Sequence, residues 1–417
     1  MAIELKVFYS WQSDLPNNTN RGFIQKALED AAKEISNDVT TDLEPVIDRD
    51  TAGVAGSPDI RQTILAKIES CDVFVADISV VGVTSNRPMC NPNVLIEVGY
   101  ALKCLGDDRV LLVQNTLNGQ IEDLPFDLRG RRIIAYKASP AEIDKGVTRK
   151  ELARVLSAAL RKIGGDLKEA DKKSRQAENQ RLFGLAMNFR SDRLSEIEVR
   201  HLPVPLINKP LVALHIIPLE SFREEREFDL KTLISRTYSK IRPMGLSLRS
   251  YSQCSPNEHG VITVGTGDSD KAPFENSYTV LYRNGVIEAV RAGLIVRNEQ
   301  NNLVTFLRYE ESLLQYVRDC FQVISALGCS PPILVGIALF GIGGAQLVHP
   351  GDQYGMPSSR PFQNDTVLLP PIVFDDFSRD VGKVLKPALD RAWEQVGHMS
   401  SPYLNESGMW VGTGPWR

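Results

Sequence analysis

One carboxylate stands in an unusually apolar stretch of the sequence. Residues 91–102 read NPNVLIEVGYAL, and Glu97 is the only charged residue among them. In a helix, this side chain would lose solvation unless it faced a cavity, and burial would raise its pKa. Such a group can act as a nucleophile, a general base or the stabiliser of a cationic sugar, and Gly99 would let a ligand approach beside Tyr100. Alternatively, the charge of Glu97 simply favours a helix N-terminus capped by Asn93.

Polar and aromatic side chains also follow three apolar runs in the first 140 residues. These candidate ligand-contacting residues are Tyr9, Ser10, Trp11 and Asp14 after the first run, Arg49 and Asp50 after the second, and Asp77 and, further on, Asn91 after the third. Each acidic residue among them could instead cap a helix or form an ion pair, and an asparagine could serve in a turn or a cap. Glu97 is therefore the predicted catalytic group, and the other residues are predicted to bind substrate.

Alternating strands and helices must position these side chains. The hydrophobic pattern predicts strands at 6–10, 43–47, 73–78, 109–114 and 132–136, and helices at 22–35, 60–68 and 94–105. Buried runs that alternate with helices indicate a mainly parallel sheet covered on both faces, and hence a flavodoxin-like α/β fold. Ligands bind beyond the carboxyl ends of such strands, where helix N-termini carry partial positive charge. The candidate residues are therefore expected at one edge of the sheet.

The length of 417 residues favours two domains. We expect the α/β domain over residues 1–140, a long helical connector over 141–188 and an α+β domain over 189–417. Arg190, Arg193 and Arg200 alternate with acidic residues, a pattern typical of a solvent-exposed helix face.

Composition excludes several classes of protein. The 48 basic and 52 acidic residues leave a net charge of -4, which provides no positive field for generic nucleic-acid binding. The six cysteines form neither CxxC pairs nor Cys/His clusters, so we expect no metal, disulfide framework or bound cofactor. An apolar run of membrane-spanning length and a signal peptide are both missing from the pattern, which favours a cytoplasmic protein without membrane attachment.

Five segments resemble the Toll/interleukin-1 receptor (TIR)-like domains of bacterial nucleotide-binding and anti-phage effector proteins. They read VFYSWQSD, SPDIRQTI, CDVFVADIS, NPNVLIEVGYAL and LPFDLRGRRIIAY, and the likeness covers about residues 5–137. This resemblance implies that NAD is the substrate, cleaved at the nicotinamide-ribose bond with Glu97 as the catalytic residue. It also implies that the loop after the first strand contacts the adenine or nicotinamide side, and that residues 49–56 correspond to the BB loop, which controls access and assembly in the family.

Two other functions remain open from the sequence. The Glu-x-Gly-Tyr-Ala motif also resembles nucleoside 2-deoxyribosyltransferases, which would make Glu97 the nucleophile, Tyr9 an orienting residue and Asp77 the base-binding residue. A non-catalytic receptor for a nucleotide is the third alternative. About 230 residues beyond the α/β domain and connector favour an effector coupled to a sensor. Residues 183–417 resemble a region found behind diverse N-terminal modules of bacterial proteins, so we expect an unidentified trigger there and a homo-oligomer in the active state.

Overall fold

A computed structural model describes residues 3–48, 59–84, 87–206, 210–224, 226–238, 240–244, 254–266, 275–293, 295–297, 303–305, 309–347 and 359–411. The chain divides into two compact units, Met1–Arg175 and Gln176–Arg417. One helix, α5, contributes residues to both of them. In the part of the chain described here, no helix is both long and apolar enough to cross a bilayer.

The first unit contains a five-stranded parallel sheet. Along the chain, the strands of the first unit are β1 (Ile3–Ser10), β2 (Leu43–Asp48), β3 (Val73–Asp77), β4 (Val80–Thr84), β5 (Arg87–Cys90), β6 (Val110–Asn115) and β7 (Ile133–Tyr136). Its helices are α1 (Arg21–Ser36), α2 (Ile60–Ser70), α3 (Pro92–Leu105), α4 (Phe126–Arg129) and the first part of α5 (Gly146–Glu198). The sheet order is β2-β1-β3-β6-β7, with β4 and β5 paired as a separate antiparallel hairpin. Counted within the sheet this is order 2-1-3-4-5, which confirms the predicted flavodoxin-like fold.

Strand alternation divides the side chains of β1 between two cores. Val7 and Tyr9 belong to the core that contains α1 and the first part of α5, whereas Phe8 belongs to the core that contains α2 and α3. The helix α1 buries Phe23, Ala27, Ala31 and Ile35, the stripe expected at intervals of four residues. Parallel pairing to β2 and β3 then fixes where β1 ends, at Ser10.

The second unit is built around an antiparallel sheet. Its strands are β8 (Leu211–Pro218), β9 (Ser255–Pro256), β10 (Gly260–Thr266), β11 (Glu275–Tyr282), β12 (Ile287–Ala292), β13 (Ile295–Arg297), β14 (Leu303–Thr305), β15 (Ile333–Phe340), β16 (Thr366–Leu368) and β17 (Ile372–Phe374). Its helices are α6 (Leu230–Thr237), α7 (Tyr309–Ala326) and α8 (Val381–Gln395), together with the end of α5. The main sheet has the order β16-β15-β8-β12-β11-β10-β9, with β17 also paired to β15. This unit has the mixed strands and helices of the α+β fold class that the sequence predicted.

One face of the end of α5 is buried and carries Arg190 and Arg193, in contrast to the prediction of a solvent-exposed face. Arg190 is only 4% exposed to solvent, and Arg193 only 8%. The guanidinium of Arg193 donates to both carboxylate oxygens of Glu288 on β12, from Nε at 2.8 Å and from Nη2 at 3.0 Å. The prediction was wrong for Arg190 and Arg193, whereas Arg200 is exposed. Arg193 does pair with Glu196 three residues on, but its buried partner Glu288 lies 95 residues away in the sequence, out of reach of any local charge pattern.

Glu288 is the centre of a buried polar cluster in this sheet. It is fully buried and accepts hydrogen bonds from His215 Nε2 at 3.1 Å and Tyr278 OH at 2.9 Å, in addition to those from Arg193. Burial alone would raise the pKa of Glu288, but hydrogen bonds from His215 and Arg193 and the charge of the guanidinium outweigh it and lower the pKa to about 2. The carboxylate is therefore ionised in the folded chain.

Candidate functional site

The start of α3 places Glu97 on the second helical turn. Asn91 is the N-cap, because its side-chain oxygen accepts from the backbone N–H groups of Asn93 at 3.0 Å and Val94 at 3.2 Å. The expectation that Asn93 caps this helix is therefore wrong, since Asn93 supplies one of the donors that need a cap. Glu97 lies five residues beyond Pro92, the first helical residue. The influence of the helix N-terminus decays within the first turn, so it does not account for an acid at this position.

The carboxylate of Glu97 is half-buried at the end of β1. Burial raises the pKa of Glu97, and a hydrogen bond from Ser10 partly opposes that rise. Ser10 Oγ donates to Glu97 Oε2 at 2.6 Å. Among the described residues, no lysine, arginine or histidine forms an ion pair with Glu97. The site therefore holds an acid whose negative charge a cationic ligand could share.

A cleft of about 260 Å³ lies against this carboxylate. Residues 8–13 at the end of β1 form one wall, Asn91 and Asn93 at the start of α3 form another, and Ile64 of α2 completes it. The cleft is at the carboxyl edge of the parallel sheet, beside the point where the chain order reverses between β1 and β3. Ligands of open α/β sheets bind at this point.

Two further contacts shape the cleft. The Arg21 guanidinium lies over the Trp11 ring, with Cζ 3.4 Å from the ring centroid, which restrains the indole by a cation–π interaction. Asn91 Nδ2 donates to Asp14 Oδ2 at 2.7 Å, which connects the loop after β1 to the start of α3. The structure thus brings together Ser10, Trp11, Asp14, Asn91 and Glu97, all of which were candidates from the sequence.

Other candidates lie elsewhere. Tyr9 adjoins the cleft, but its ring is fully buried in the core beside α1, and its hydroxyl donates to the carbonyl of Arg21 at 3.3 Å. Tyr100 does not line the cleft, because its hydroxyl donates to Glu69 on α2; this hydrogen bond, with some burial, raises the pKa of Tyr100 to about 12. Arg49 and Asp50, with the rest of 49–58, lie outside the described residues.

Asp77 is fully buried and does not line the cleft. Its carboxylate accepts from Gln12 Nε2 at 2.9 Å, Asn20 Nδ2 at 3.2 Å and Ser79 Oγ at 2.5 Å. Burial raises the pKa of Asp77, and these donors oppose the rise. Ser79 in turn accepts from the backbone N–H of Asn115 at 2.8 Å. Asp77 therefore fixes the loop after β1 through these hydrogen bonds. The sequence does not reveal this structural role, because a polar residue at a strand end looks the same whether it binds a ligand or a loop.

Sequence reasoning also missed several cleft residues. These are Gln12, Ser13, Ile64 and Asn93, together with Arg21 behind the indole. Gln12 and Ser13 lie within the polar segment that follows β1, which was the available signal. Ile64 gave none, because an isoleucine at helical spacing resembles any other core residue.

A larger cavity of about 550 Å³ lies away from Glu97. It lies between α5 and the starts of β6 and β7, and includes Val110 and Ile134. Three basic and three acidic residues share its rim, so it has no net charge preference. We place the candidate site in the smaller cleft because the carboxyl ends of the strands, and the acid with the perturbed pKa, are there.

No protein-family model matches the sequence, and no curated protein matches it either. Among solved structures, the flavodoxin-like domain of a Synechococcus sp. protein is similar to part of this chain. It is 12% identical, with 40% of this chain and 99% of that chain covered and a TM-score of 0.22. So low a TM-score carries no argument, and the fold assignment rests on the strand order of the sheet.

Proposed function

We propose that the first unit is a TIR-like NAD glycohydrolase that cleaves the nicotinamide-ribose bond with Glu97. The observation that carries the proposal is the state of Glu97: half-buried, raised in pKa, and free of a described cationic partner beside a polar cleft at the β1/β3 switch point. An acid in a cleft whose pKa is shifted by burial is a candidate for a functional site. The sequence resemblance to TIR-like domains supplies the substrate, which the cleft by itself does not identify.

The proposed chemistry needs only one carboxylate. The bond between ribose C1′ and the nicotinamide nitrogen breaks, and both bonding electrons leave with nicotinamide, which departs as a neutral molecule. The positive charge passes to C1′ and the ring oxygen, where Glu97 stabilises it electrostatically or forms a C1′–O bond. Water then adds to C1′ and loses a proton, which gives ADP-ribose and restores the carboxylate. Restricted solvent access around Glu97 strengthens its interaction with the cation.

The test is NAD turnover by wild type and by Glu97→Gln, with free nicotinamide measured by chromatography. Glutamine nearly conserves volume, so the fold should persist while nicotinamide release disappears. Glu69→Gln is the matched control, because this residue on neighbouring α2 contacts Tyr100 and does not line the cleft. Equal turnover by wild type and Glu97→Gln, or no turnover by wild type under any condition, would reject the proposal.

A second candidate is a nucleoside N-glycosidase or deoxyribosyltransferase that uses the same Glu97. One observation favours it: the cleft encloses about 260 Å³, just below the usual range of about 300–1,000 Å³ for small-molecule sites. A nucleoside needs less room than a dinucleotide. Incubation with deoxynucleosides, followed by chromatography for free base, distinguishes this candidate from NAD cleavage.

We further propose that the second unit receives a trigger and promotes self-association of the active enzyme in bacterial anti-phage defence. The division into two compact units is compatible with an effector coupled to a sensor. The trigger is unidentified, so the first test is whether turnover depends on protein concentration.

A further inference from the structure

We propose that Ser10 is a positioning residue that holds Glu97 Oε2, so that Oε1 is the oxygen that meets the reacting sugar carbon. This inference rests on the proposed function, but its geometric part can be tested without it. It assigns distinct roles to the two oxygens of one carboxylate.

The hydrogen bond from Ser10 has the features of a strong one. Its length of 2.6 Å is typical of a hydroxyl that donates to an ionised carboxylate. Ser10 is 2% exposed, so bulk water competes little for its hydroxyl. A serine hydroxyl carries a single hydrogen, and donation to Oε2 uses it. The interaction therefore favours the ionised form of Glu97 over the neutral form.

A rigid element presents this hydroxyl. Ser10 is the last residue of β1 and is paired in register with Ala76 of β3. Strand alternation directs it to the same side as Phe8, towards α2 and α3. The donor is thus fixed by a central strand before any ligand arrives, which is the arrangement that preorganised sites require.

The second oxygen has a different environment. Among the described residues, no hydrogen bond reaches Glu97 Oε1, and the side chain adjoins the cleft. With Oε2 held by Ser10, Oε1 is the oxygen available to a cation in the cleft. Loss of Ser10 would leave both oxygens unheld and would weaken the ionised form.

The test is Ser10→Ala, with Ser13→Ala as the matched control, since Ser13 lines the same cleft but is exposed. The titration of Glu97 is followed by carboxyl ¹³C NMR, with Glu97→Gln used to assign the signal. Ser10→Ala should make ionisation about tenfold less favourable and raise the midpoint by about one pH unit. The acid limb of kcat/KM for NAD should move upward equally, while KM changes little. Ser13→Ala should leave the midpoint in place.

The outcomes separate the two proposals. An unchanged Glu97 midpoint in Ser10→Ala would overturn the role of Ser10, even if wild type cleaves NAD. A raised midpoint in a protein that cleaves no NAD would keep the Ser10–Glu97 pairing and reject the glycohydrolase. A lower kcat without any shift of the pH profile would mean that Ser10 is merely structural and would overturn the inference.

Discussion

Removal of the charge of Glu288 should destabilise the second unit by about 3 kcal/mol at pH 7. The pKa of this carboxyl falls from its usual 4.5 to about 2, because bonds from His215 and Arg193 outweigh its burial. At 1.36 kcal/mol per pH unit, this difference corresponds to about 3 kcal/mol. Glu288→Gln keeps the shape but leaves the buried guanidinium of Arg193 with only the partly exposed Glu196 as counter-charge. Breaking a fully buried pair costs about 3–5 kcal/mol, so about 3 kcal/mol is at the low end of that range.

The pH dependence gives this prediction its direction. Because the folded-state pKa is lowered, the stabilisation is complete above pH 4.5 and is lost as pH falls towards 2. At pH 3, about 2 kcal/mol of the difference between wild type and Glu288→Gln should therefore have disappeared. A group that merely filled space would give a difference independent of pH.

The assay is urea denaturation of the full chain at pH 7 and pH 3. A short deuterium pulse after equilibration, read by mass spectrometry on peptides from β8 and β12, reports the folded fraction of this sheet. Glu258→Gln is the control, because its side chain is 83% exposed and its loss should cost less than about 1 kcal/mol. Glu288→Gln no less stable than this control, or a difference that is the same at both pH values, would refute the reasoning.

Two further predictions concern the first unit and the assembly. Asn91→Ala should lose the α3 cap, at a cost of about 1 kcal/mol, and should raise KM for NAD, because Asp14 loses its partner. Asn91→Ser keeps the cap, so it should raise KM without loss of stability. Thermal unfolding measures the stability of both variants, and steady-state kinetics measures KM. NAD turnover per chain should increase with protein concentration if self-association completes the active enzyme; a turnover per chain that is constant across the range in which light scattering detects association would contradict that model.

The fold of the first unit followed from local patterns. Apolar runs that alternate with amphipathic helices predicted the parallel sheet, and the strand order confirms it. The β4–β5 hairpin was missed, because Gly82 and Pro88 resemble loop residues. An acid within the apolar segment of α3 was likewise visible in sequence, and Glu97 is indeed shielded from full exposure.

What sequence could not supply was the pairing of distant polar groups. In sequence, Asp77 resembles a ligand-binding residue at a strand end, yet in the structure its carboxylate accepts hydrogen bonds from Gln12 and Asn20 in the loop after β1. Arg193 and Glu288 each stand in an unremarkable local context and become a buried ion pair only when α5 packs on the sheet. Such pairs depend on tertiary packing, which no local periodicity encodes.

The double use of α5 governs how this protein can be shortened for expression. Leu152, Leu156 and Leu160 are at most 2% exposed in the core of the first unit, although they follow the last sheet strand by many residues. A recombinant fragment that stopped at residue 140 would expose the side of the sheet that these leucines cover. It would lose about 1.5–3 kcal/mol of stabilising burial free energy for each leucine. If such a fragment is insoluble, the missing helix explains it, and a soluble fragment of the first unit has to extend past Ile163.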